Sequence, residues 1–260
     1  MTRWSSVTLY SGGIDSFILL EYVRQCIDKD TKPIYFDMGH RYSGVERDFV
    51  NKTPGALIDD ESIYLGDIEE KSAFIPNRNI LLATVAVSKY SNKIFVGGSK
   101  SDRICDNNET VFNLLAELLT KTDGRGNVIT ITSPFWEMYK DDMVGWYTNV
   151  VNKGQTRLLT ETFSCFQPLS APNTVSVFLI GSSTSINYTS RHCFSCPACF
   201  RRNAVLSNTA YILPFYDEKI VGKYHSEFSK QIYLNVNDRR ASATLAYINQ
   251  RERHDCLKRK

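Results

Sequence analysis

The first stretch whose residue types and spacing could do chemistry is residues 10–16, Tyr-Ser-Gly-Gly-Ile-Asp-Ser. Two adjacent glycines allow a turn whose backbone N–H groups point inward. A helix that starts after the turn adds its own N–H groups, and the two together form a nest for phosphate oxygens. The hydroxyls of Ser11 and Ser16 can donate to the same oxygens. Asp15 would repel bound phosphates unless a divalent cation lay between them, so the stretch predicts phosphate binding with magnesium.

The same stretch has a plainer interpretation as a helix cap. A serine- and glycine-rich turn suits a helix start, and an acidic residue such as Asp15 is favourable in the first helical turn. No Gly-Lys-Ser or Gly-Lys-Thr follows, so this is not the phosphate loop of the kinase-like NTPases. Phosphate binding and capping both stay open at this point.

A second group of reactive side chains is a set of closely spaced cysteines. Cys193, Cys196 and Cys199 lie close together, and Cys165 precedes them by a longer interval. In a reducing compartment this pattern favours a metal over disulfides, and four thiolates suit a tetrahedral zinc. A closed four-sulfur shell leaves no open position, so the zinc would be structural. His192 could replace one cysteine, and an iron–sulfur cluster, reactive thiols or buried unliganded cysteines are the alternatives.

Short β-rich runs alternate with helical periods over residues 6–98, which indicates βα units on a parallel sheet. The pattern predicts strands over residues 6–10, 32–37, part of 57–65 and 93–97, and helices over residues 16–27, 43–51 and 79–90. Ligands bind such sheets at the carboxyl ends of the strands. The loops after Tyr10, Asp37 and Gly97 should therefore face one crevice.

Two loops, residues 35–42 and 75–79, carry arginines that could contact a ligand. Arg41 could hold a phosphate or carboxylate through two donors, and His40 could hydrogen-bond a base or a ribose. The alternative for this loop is a polar surface turn. In residues 75–79, proline and two asparagines set a tight turn before a helix that Asn79 could cap, while Arg78 would point into the crevice.

A third loop, residues 97–109, combines small residues with carboxylates. Gly97 and its neighbours allow close approach of a ligand, and Asp102, Asp106 and Glu109 are available to a substrate amine or a metal. Residues 106–109 also fit an acidic cap at the start of the next helix. Ligand binding and capping again remain alternatives.

The rest of the chain predicts further elements. They are a helix over residues 110–119, a turn over 122–127, a strand over 128–132, a helix over 140–151, a β-hairpin of residues 174–180 and 185–189, and a closing helix over 240–251. The hairpin would be inserted between the first and second cysteines of the proposed zinc site.

Composition limits the class of protein. The chain has 260 residues, of which 42% are hydrophobic and 23% charged, and this is ordinary for a globular protein. No long apolar run and no apolar core of a secretion signal occur, so we expect a cytoplasmic protein without a membrane segment. A net charge of +3 is too small to imply nucleic-acid binding, and the basic C-terminus fits a solvated tail.

The motifs resemble those of two nested groups of enzymes. The Ser-Gly-Gly-Ile-Asp-Ser loop is similar to that of the N-type ATP pyrophosphatases, which cleave ATP between its α and β phosphates. In their order over residues 6–206, the motifs resemble the 7-cyano-7-deazaguanine synthase (QueC) family. Residues 39–42, 76–79 and 164–166 match its Gly-Gln-Arg-His, Pro-Gly-Arg-Asn and Ser-Cys-Tyr segments in part, and Cys-x-x-Cys-x-x-Cys-x-x-Arg is complete, ending at Arg202.

This resemblance implies an α/β fold, with a doubly wound, mostly parallel sheet of the adenine nucleotide alpha hydrolase-like type and a C-terminal zinc-binding segment. We expect an ATP pyrophosphatase-like core over residues 1–155, a zinc-binding segment with the inserted hairpin over 156–215, and a C-terminal extension that packs on the core over 216–260. The resemblance also implies a homodimer, ATP with Mg²⁺, and a structural zinc.

The implied reaction activates a carboxylate twice. ATP adenylates 7-carboxy-7-deazaguanine, ammonia displaces AMP to give the amide, and a second adenylation allows loss of AMP to form the nitrile. The implied catalytic residues are Ser11, Asp15, Ser16 and Arg78. The implied ATP-binding residues are Tyr10, Ser11, Gly12, Gly13, Asp15, Ser16, Phe36, Arg41 and Asn79. Substrate would contact Arg78, Gly98, Asp102 and Asp106, and zinc would bind Cys165, Cys193, Cys196 and Cys199.

The chain departs from the family in two places. Residues 104–108, Ile-Cys-Asp-Asn-Asn, replace the Tyr-Pro-Asp-Cys-Arg segment that the family associates with the deazaguanine pocket. The hairpin between Cys165 and Cys193 is longer than the short connection of the family. A phage-borne or otherwise diverged member of the family would fit. Because this loop is altered, a related ligase activity remains an alternative. Such a ligase would pass the deazaguanine to a protein amine, as QueC-like proteins of antiviral operons do. A tRNA thiolase with a cysteine sulfur carrier and a nucleotide-binding scaffold without turnover are further alternatives.

Overall fold

The computed structural model describes residues 3–102, 104–151, 157–180, 184–207, 211–233 and 239–258, with backbone alone for residues 231–233 and 252–258. The chain divides into two compact units, one up to Met138 and one from Tyr139. Of the helices that these ranges contain, none combines the length and the apolar character that a membrane crossing needs.

The first unit alternates strands and helices. Its elements are β1 (Val7–Leu9), α1 (Ile14–Cys26), β2 (Lys32–Phe36), α2 (Ser43–Val50), β3 (Leu57–Asp59), a 3₁₀ turn (Gly66–Ile68), α3 (Arg78–Lys89), β4 (Lys93–Phe95), α4 (Glu109–Thr122) and β5 (Thr130–Thr132). Each predicted strand and helix of this region forms, with bounds that differ from the predicted ones by a few residues.

The five strands form one parallel sheet in the order β3-β2-β1-β4-β5. In register, Val7 pairs with Lys32 on one side and with Ile94 on the other. The chain therefore winds outward from β1 to β3 and then returns to the other side of β1. Because parallel crossovers are right-handed, this reversal puts α1 and α2 on one face and α3 and α4 on the other. The predicted doubly wound α/β fold is confirmed.

The core of this unit lies between the sheet and its covering helices. On one face, Val7, Ile34 and Ile94 are buried with Ala83 of α3 and Phe112 of α4. Strands buried on both faces need apolar residues at nearly every position, which explains the buried Pro-Ile-Tyr-Phe run of β2. The carboxyl ends of the strands carry the loops that the sequence singles out.

The second unit contains a small antiparallel sheet and several helices. Its elements are α5 (Lys140–Trp146), a π-helical turn (Tyr147–Val151), α6 (Arg157–Thr160), β6 (Asn173–Leu179), β7 (Ser185–Ser190), α7 (Pro197–Ser207), β8 (Tyr211–Ile212), α8 (Glu218–Tyr233) and α9 (Arg239–Lys258). Strands β6 and β7 form the predicted hairpin, whose tip at residues 181–183 lies outside the described residues. Strand β8 pairs with the other edge of β6.

One prediction in this unit needs a refinement, and some of its elements, α8 among them, were not predicted. The helix predicted over residues 140–151 ends as an α-helix at Trp146 and continues with π-type hydrogen bonds. An apolar pattern does not distinguish these two kinds of helical turn. Helix α8 has no counterpart among the predictions, although Val221 and Phe228 are buried and Phe200 of α7 stacks on Tyr224 with ring centroids 4.6 Å apart.

Candidate functional site

The glycine turn after β1 has the geometry that the sequence predicts. Gly12 has a φ of +74°, a conformation that side chains disfavour, and α1 begins at Ile14 with no side chain capping it. The Ser16 hydroxyl donates to the Gly13 carbonyl at 3.1 Å and accepts from the Ser11 N–H at 3.2 Å. The two serine hydroxyls lie 3.3 Å apart. Both hydroxyls therefore lie at the start of α1, where its dipole favours an anion.

This turn lies where the order of the strands reverses. A methyl group added to Gly97, in the loop after β4, would lie 3.8 Å from the Cβ of Asp15 and from the backbone nitrogen of Ser16. The loops after β1 and β4 are therefore neighbours at the carboxyl edge of the sheet, as predicted. In open α/β sheets this reversal point is where ligands bind.

Gly98, an expected substrate contact, is covered by an aromatic ring. A methyl group on Gly98 would overlap the ring of Trp136. The Gly98 carbonyl accepts a hydrogen bond from the Ser133 hydroxyl at 2.6 Å. Only glycine lets the loop after β4 approach this ring. Trp136 was not among the predicted site residues, because the contact joins two loops that are far apart in sequence.

The loop after β2 is held by polar contacts of its own side chains. The Arg41 guanidinium donates to Glu69 at 2.7 Å and to the backbone carbonyls of Glu70 and Lys71. His40 is 3% exposed and its Nε2 lies 3.0 Å from Glu46, while its Nδ1 has no hydrogen-bond partner among the described residues. Neither Glu46 nor Glu69 was a predicted partner.

Arg78 and Asn79 lie at the start of α3, after Asn77 in a left-handed conformation. Burial raises the pKa of Tyr42 to about 12, and the guanidinium of Arg78, hydrogen-bonded to it, opposes that rise. Asp106 accepts the Asn79 backbone N–H at 2.9 Å and its side-chain amide at 3.0 Å. The structure therefore joins two predicted site residues, and both carboxylate oxygens of Asp106 bind the start of α3.

Three further predicted residues of this unit, Asp102, Phe36 and Tyr10, contact other parts of the same unit. Asp102 accepts from the N–H and the hydroxyl of Ser99, at 3.0 and 3.2 Å, so it orders the loop after β4. The Phe36 side chain is buried in the core, and its backbone pairs with Asp59 of β3. The buried Tyr10 accepts a hydrogen bond from Thr53 at its hydroxyl.

In the second unit the four predicted cysteines form one cluster. The Sγ atoms of Cys165, Cys193, Cys196 and Cys199 all lie within 4.8 Å of one another. Two of the pairs, Cys165 with Cys196 and Cys193 with Cys199, are 3.9 Å apart. A tetrahedral ion with Zn–S bonds of about 2.3 Å holds its sulfurs about 3.8 Å apart, so the cluster fits such an ion.

Backbone geometry around the cluster favours thiolates. N–H groups of Gln167, Ser195 and Cys199 point at sulfurs of Cys165, Cys193 and Cys196, each at 3.4 Å. Because metal ligands must be deprotonated, these donors suit metal binding.

His192 lies outside this cluster. Its Nε2 accepts the Ser164 backbone N–H at 3.1 Å, and its Nδ1 faces the hydroxyls of Ser190 and Tyr188. Burial lowers the pKa of His192 well below its ordinary value, and the charge of Arg202 lowers it further. The neutral ring thus supports the polypeptide on either side of the cysteines and replaces none of them.

Comparison with known protein families shows which family the chain belongs to. The family model described as "Queuosine biosynthesis protein QueC" matches residues 48–210, more than half of the chain. The chain belongs to the QueC family. The QueC match contains the start of α3, the loop after β4 and all four cysteines, and begins after the glycine turn of β1. No curated protein matches the chain.

Membership in the QueC family confirms the resemblance read from the motifs and supports a role of the queuosine-biosynthesis type. The glycine turn lies outside the matched residues, so its geometry is an observation independent of the match. The four-cysteine cluster in turn can hold a metal ion such as zinc.

Proposed function

We propose that this protein converts 7-carboxy-7-deazaguanine, ammonia and ATP into 7-cyano-7-deazaguanine, with release of AMP and pyrophosphate. The carboxylate attacks the α-phosphorus of ATP and pyrophosphate leaves. Ammonia attacks the acyl adenylate, AMP leaves with the bond electrons, and the amide forms after loss of a proton. The amide oxygen then attacks the α-phosphorus of a second ATP and a second pyrophosphate leaves, and loss of AMP and of protons from nitrogen gives the nitrile.

One observation carries this proposal more than any other. The Gly12 turn directs the start of α1 toward the reversal point of the sheet, and the Ser11 and Ser16 hydroxyls lie at that same helix start. A triphosphate bound there would meet N–H groups and hydroxyls that need no rearrangement. Such preorganised donors stabilise charge that develops as pyrophosphate leaves.

We assign the remaining roles by position. Asp15, in the first turn of α1, would hold Mg²⁺, which when bound neutralises phosphate charge. Asn79 and Arg78 at the start of α3 would position nucleotide and substrate, with Asp106 fixing Asn79. Arg41 would contact phosphate only after exchanging its Glu69 partner for the ligand. Gly98 and Asp102 shape the loop that borders the substrate.

We propose zinc as the ion of the cysteine cluster. When bound, zinc supplies a structural cross-link and takes no part in adenylation, because four thiolates fill its coordination shell. Cys165 lies before the hairpin and the other three cysteines after it, so the ion would close the ends of this segment.

The decisive experiment is a product analysis by mass spectrometry. The purified protein is incubated with 7-carboxy-7-deazaguanine, ATP, Mg²⁺ and ammonium, with Asp15→Asn as the matched inactive variant. We expect AMP, pyrophosphate and a product lighter than the amide by one water, all absent with the variant. Formation of ADP, or no nucleotide turnover, would overturn the adenylation proposal.

The alternative acceptor is distinguished in the same reactions. Residues 104–108 depart from the family segment that borders the deazaguanine, and Asp106 within them is bound to Asn79. If AMP forms but the nitrile does not, and a deazaguanine amide of an added amine or protein accumulates, the protein is an amine ligase that retains the adenylation step.

A further inference from the structure

Arg202, on α7, is a buried cation with too few partners. It is 3% exposed, and its Nη2 donates to the carbonyls of Leu158 and Leu159 at 3.2 and 3.4 Å and to the Thr162 hydroxyl at 3.4 Å. Its Nε and Nη1 have no hydrogen-bond partner, and no carboxylate among the described residues pairs with it. Since a guanidinium does not lose its proton in proteins, the interior holds an uncompensated charge.

The contacts of Arg202 explain its position but not its charge. The carbonyls that it binds lie in α6, so the side chain ties α6 to α7. The centroid of the Tyr188 ring lies 5.9 Å from the Cζ of Arg202, at the outer limit for a cation–π contact, and an aromatic ring carries no net charge. A neutral donor could make the same carbonyl contacts at lower cost, because burying an unpaired charge is expensive.

The cysteine cluster shares helix α7 and the segment from Thr162 to Cys165 with this cation. Cys199 precedes Arg202 by three residues on α7, and side chains with that spacing are neighbours on one face of a helix. The segment that receives the Arg202 contact at Thr162 also contains Ser164, whose carbonyl lies 3.9 Å from the Cys199 sulfur, and then the ligand Cys165. Arg202 and Cys199 therefore both contact this short segment, Arg202 at the Thr162 hydroxyl and Cys199 at the Ser164 carbonyl.

We propose that Arg202 is the counter-charge of the metal–thiolate centre and raises the affinity of the chain for its metal ion. Four thiolates around a divalent ion carry a net charge of two minus, and the buried guanidinium offsets part of it. This arrangement supplies the anion that Arg202 lacks. The inference rests on metal binding by the four cysteines and is independent of the adenylation chemistry.

The test measures zinc affinity on the full chain, by competition with a chromophoric chelator. Arg202→Gln removes the charge but keeps a donor for the α6 carbonyls, and Arg202→Lys keeps the charge. The control is Arg201→Gln, which removes the same charge from the adjacent position, where the guanidinium donates to the Tyr224 hydroxyl at 3.2 Å. We expect about 10–100-fold weaker zinc binding for Arg202→Gln, as for other residues that support a metal site.

The Lys variant should stay within about 5-fold of the natural chain and the Arg201 control within about 3-fold, both well below that range. A purely structural role predicts lower melting temperatures for Arg202→Gln with and without zinc, and an unchanged zinc affinity; that result would overturn the proposal. Equal losses for Arg202→Lys and Arg202→Gln would overturn it as well. If Arg202→Gln does not fold, the metal affinity of Arg202→Lys relative to Arg201→Lys decides, with a more than 10-fold loss counting against a charge effect.

Discussion

The backbone conformation at Gly12 and the space around it both disfavour a larger residue. Its φ of +74° disfavours any side chain, and a methyl group there would lie 3.2 Å from the Cβ of Phe49. We predict that Gly12→Ala lowers stability by about 1–2 kcal/mol and abolishes AMP formation, because the turn no longer directs its N–H groups to phosphate. Thermal melting and nucleotide analysis measure the two effects.

Gly44→Ala is the matched control for this change. Gly44 lies in α2, where an added methyl group meets no heavy atom within 4 Å. Alanine there should leave stability unchanged or raise it by up to about 1 kcal/mol. Normal AMP formation by Gly12→Ala would show that the turn is a cap and not the phosphate site.

Asp59, at the end of β3, carries a pH-dependent part of the stability. Burial alone would raise its pKa, but hydrogen bonds from Tyr90, Ser62 and Lys89 outweigh burial and hold the pKa far below its usual range. A depressed pKa contributes stability that is present above the unfolded value of about 3.9 and is lost as the pH falls toward the folded value.

We predict that Tyr90→Phe lowers the free energy of unfolding at pH 7 by about 1.5–3 kcal/mol, because a buried carboxylate loses a donor. The difference from the natural chain should narrow once the pH falls below the pKa of Asp59 in the folded variant, because the carboxyl group that has lost the Tyr90 donor is protonated before that of the natural chain. Denaturant unfolding from about pH 2 to pH 7 measures it, with the exposed Tyr64→Phe as control. A difference that stays constant over this range would contradict the linkage to Asp59.

Among the elements, α3 depends on a cap supplied from far along the chain. Asp106→Ala removes the acceptor of two Asn79 hydrogen bonds. We predict a loss of about 1–2 kcal/mol, and a higher KM for the deazaguanine substrate because Arg78 and Asn79 shift. Melting temperature and steady-state kinetics are the measurements.

Asn108→Ala is the comparison for this cap. Asn108 caps α4 by accepting from the Val111 N–H at 3.0 Å, so its loss should cost similar stability while leaving KM unchanged. If Asp106→Ala loses stability but keeps the natural KM, Asp106 is a helix cap only, which is the plainer of the two interpretations of its sequence.

These contacts show which elements local sequence can predict. The strands, the glycine turn and the cysteine spacing are local patterns, and each appears in the structure near its predicted position. The pairing of Asn79 with Asp106 spans 27 residues, and that of Arg41 with Glu69 spans 28. Periodicity and propensity contain no information about partners at such separations. Helix α8 was missed although its buried Val221 and Phe228 repeat at helical spacing, since its polar residues outnumber them.

For the chain taken together, metal removal should affect the two compact units differently. The four cysteines all belong to the unit that starts at Tyr139, while the sheet with the glycine turn belongs to the other. We predict that a strong chelator, or Cys196→Ser, exposes the amides of α7 to hydrogen exchange while those of β1 and α1 stay protected. Peptide-level exchange followed by mass spectrometry resolves the two regions.

The exposed Cys26, on α1, supplies the control. Cys26→Ser should keep one zinc per chain and natural exchange rates throughout. Natural protection of α7 in a metal-free Cys196→Ser chain would contradict a structural ion. If that variant folds but no longer transfers sulfur, the cysteines would instead belong to a thiolase.

The hairpin of β6 and β7 has a practical consequence. Its base is closed by the pairing of Asn173 with Ser190, and the cysteines at positions 165 and 193 approach one another just beyond it. Lengthening a segment whose ends are already joined adds little entropy cost. The connection between β6 and β7 can therefore change in length without disturbing either end of the segment. An epitope or fluorescent reporter inserted between these two strands should likewise leave both ends in place.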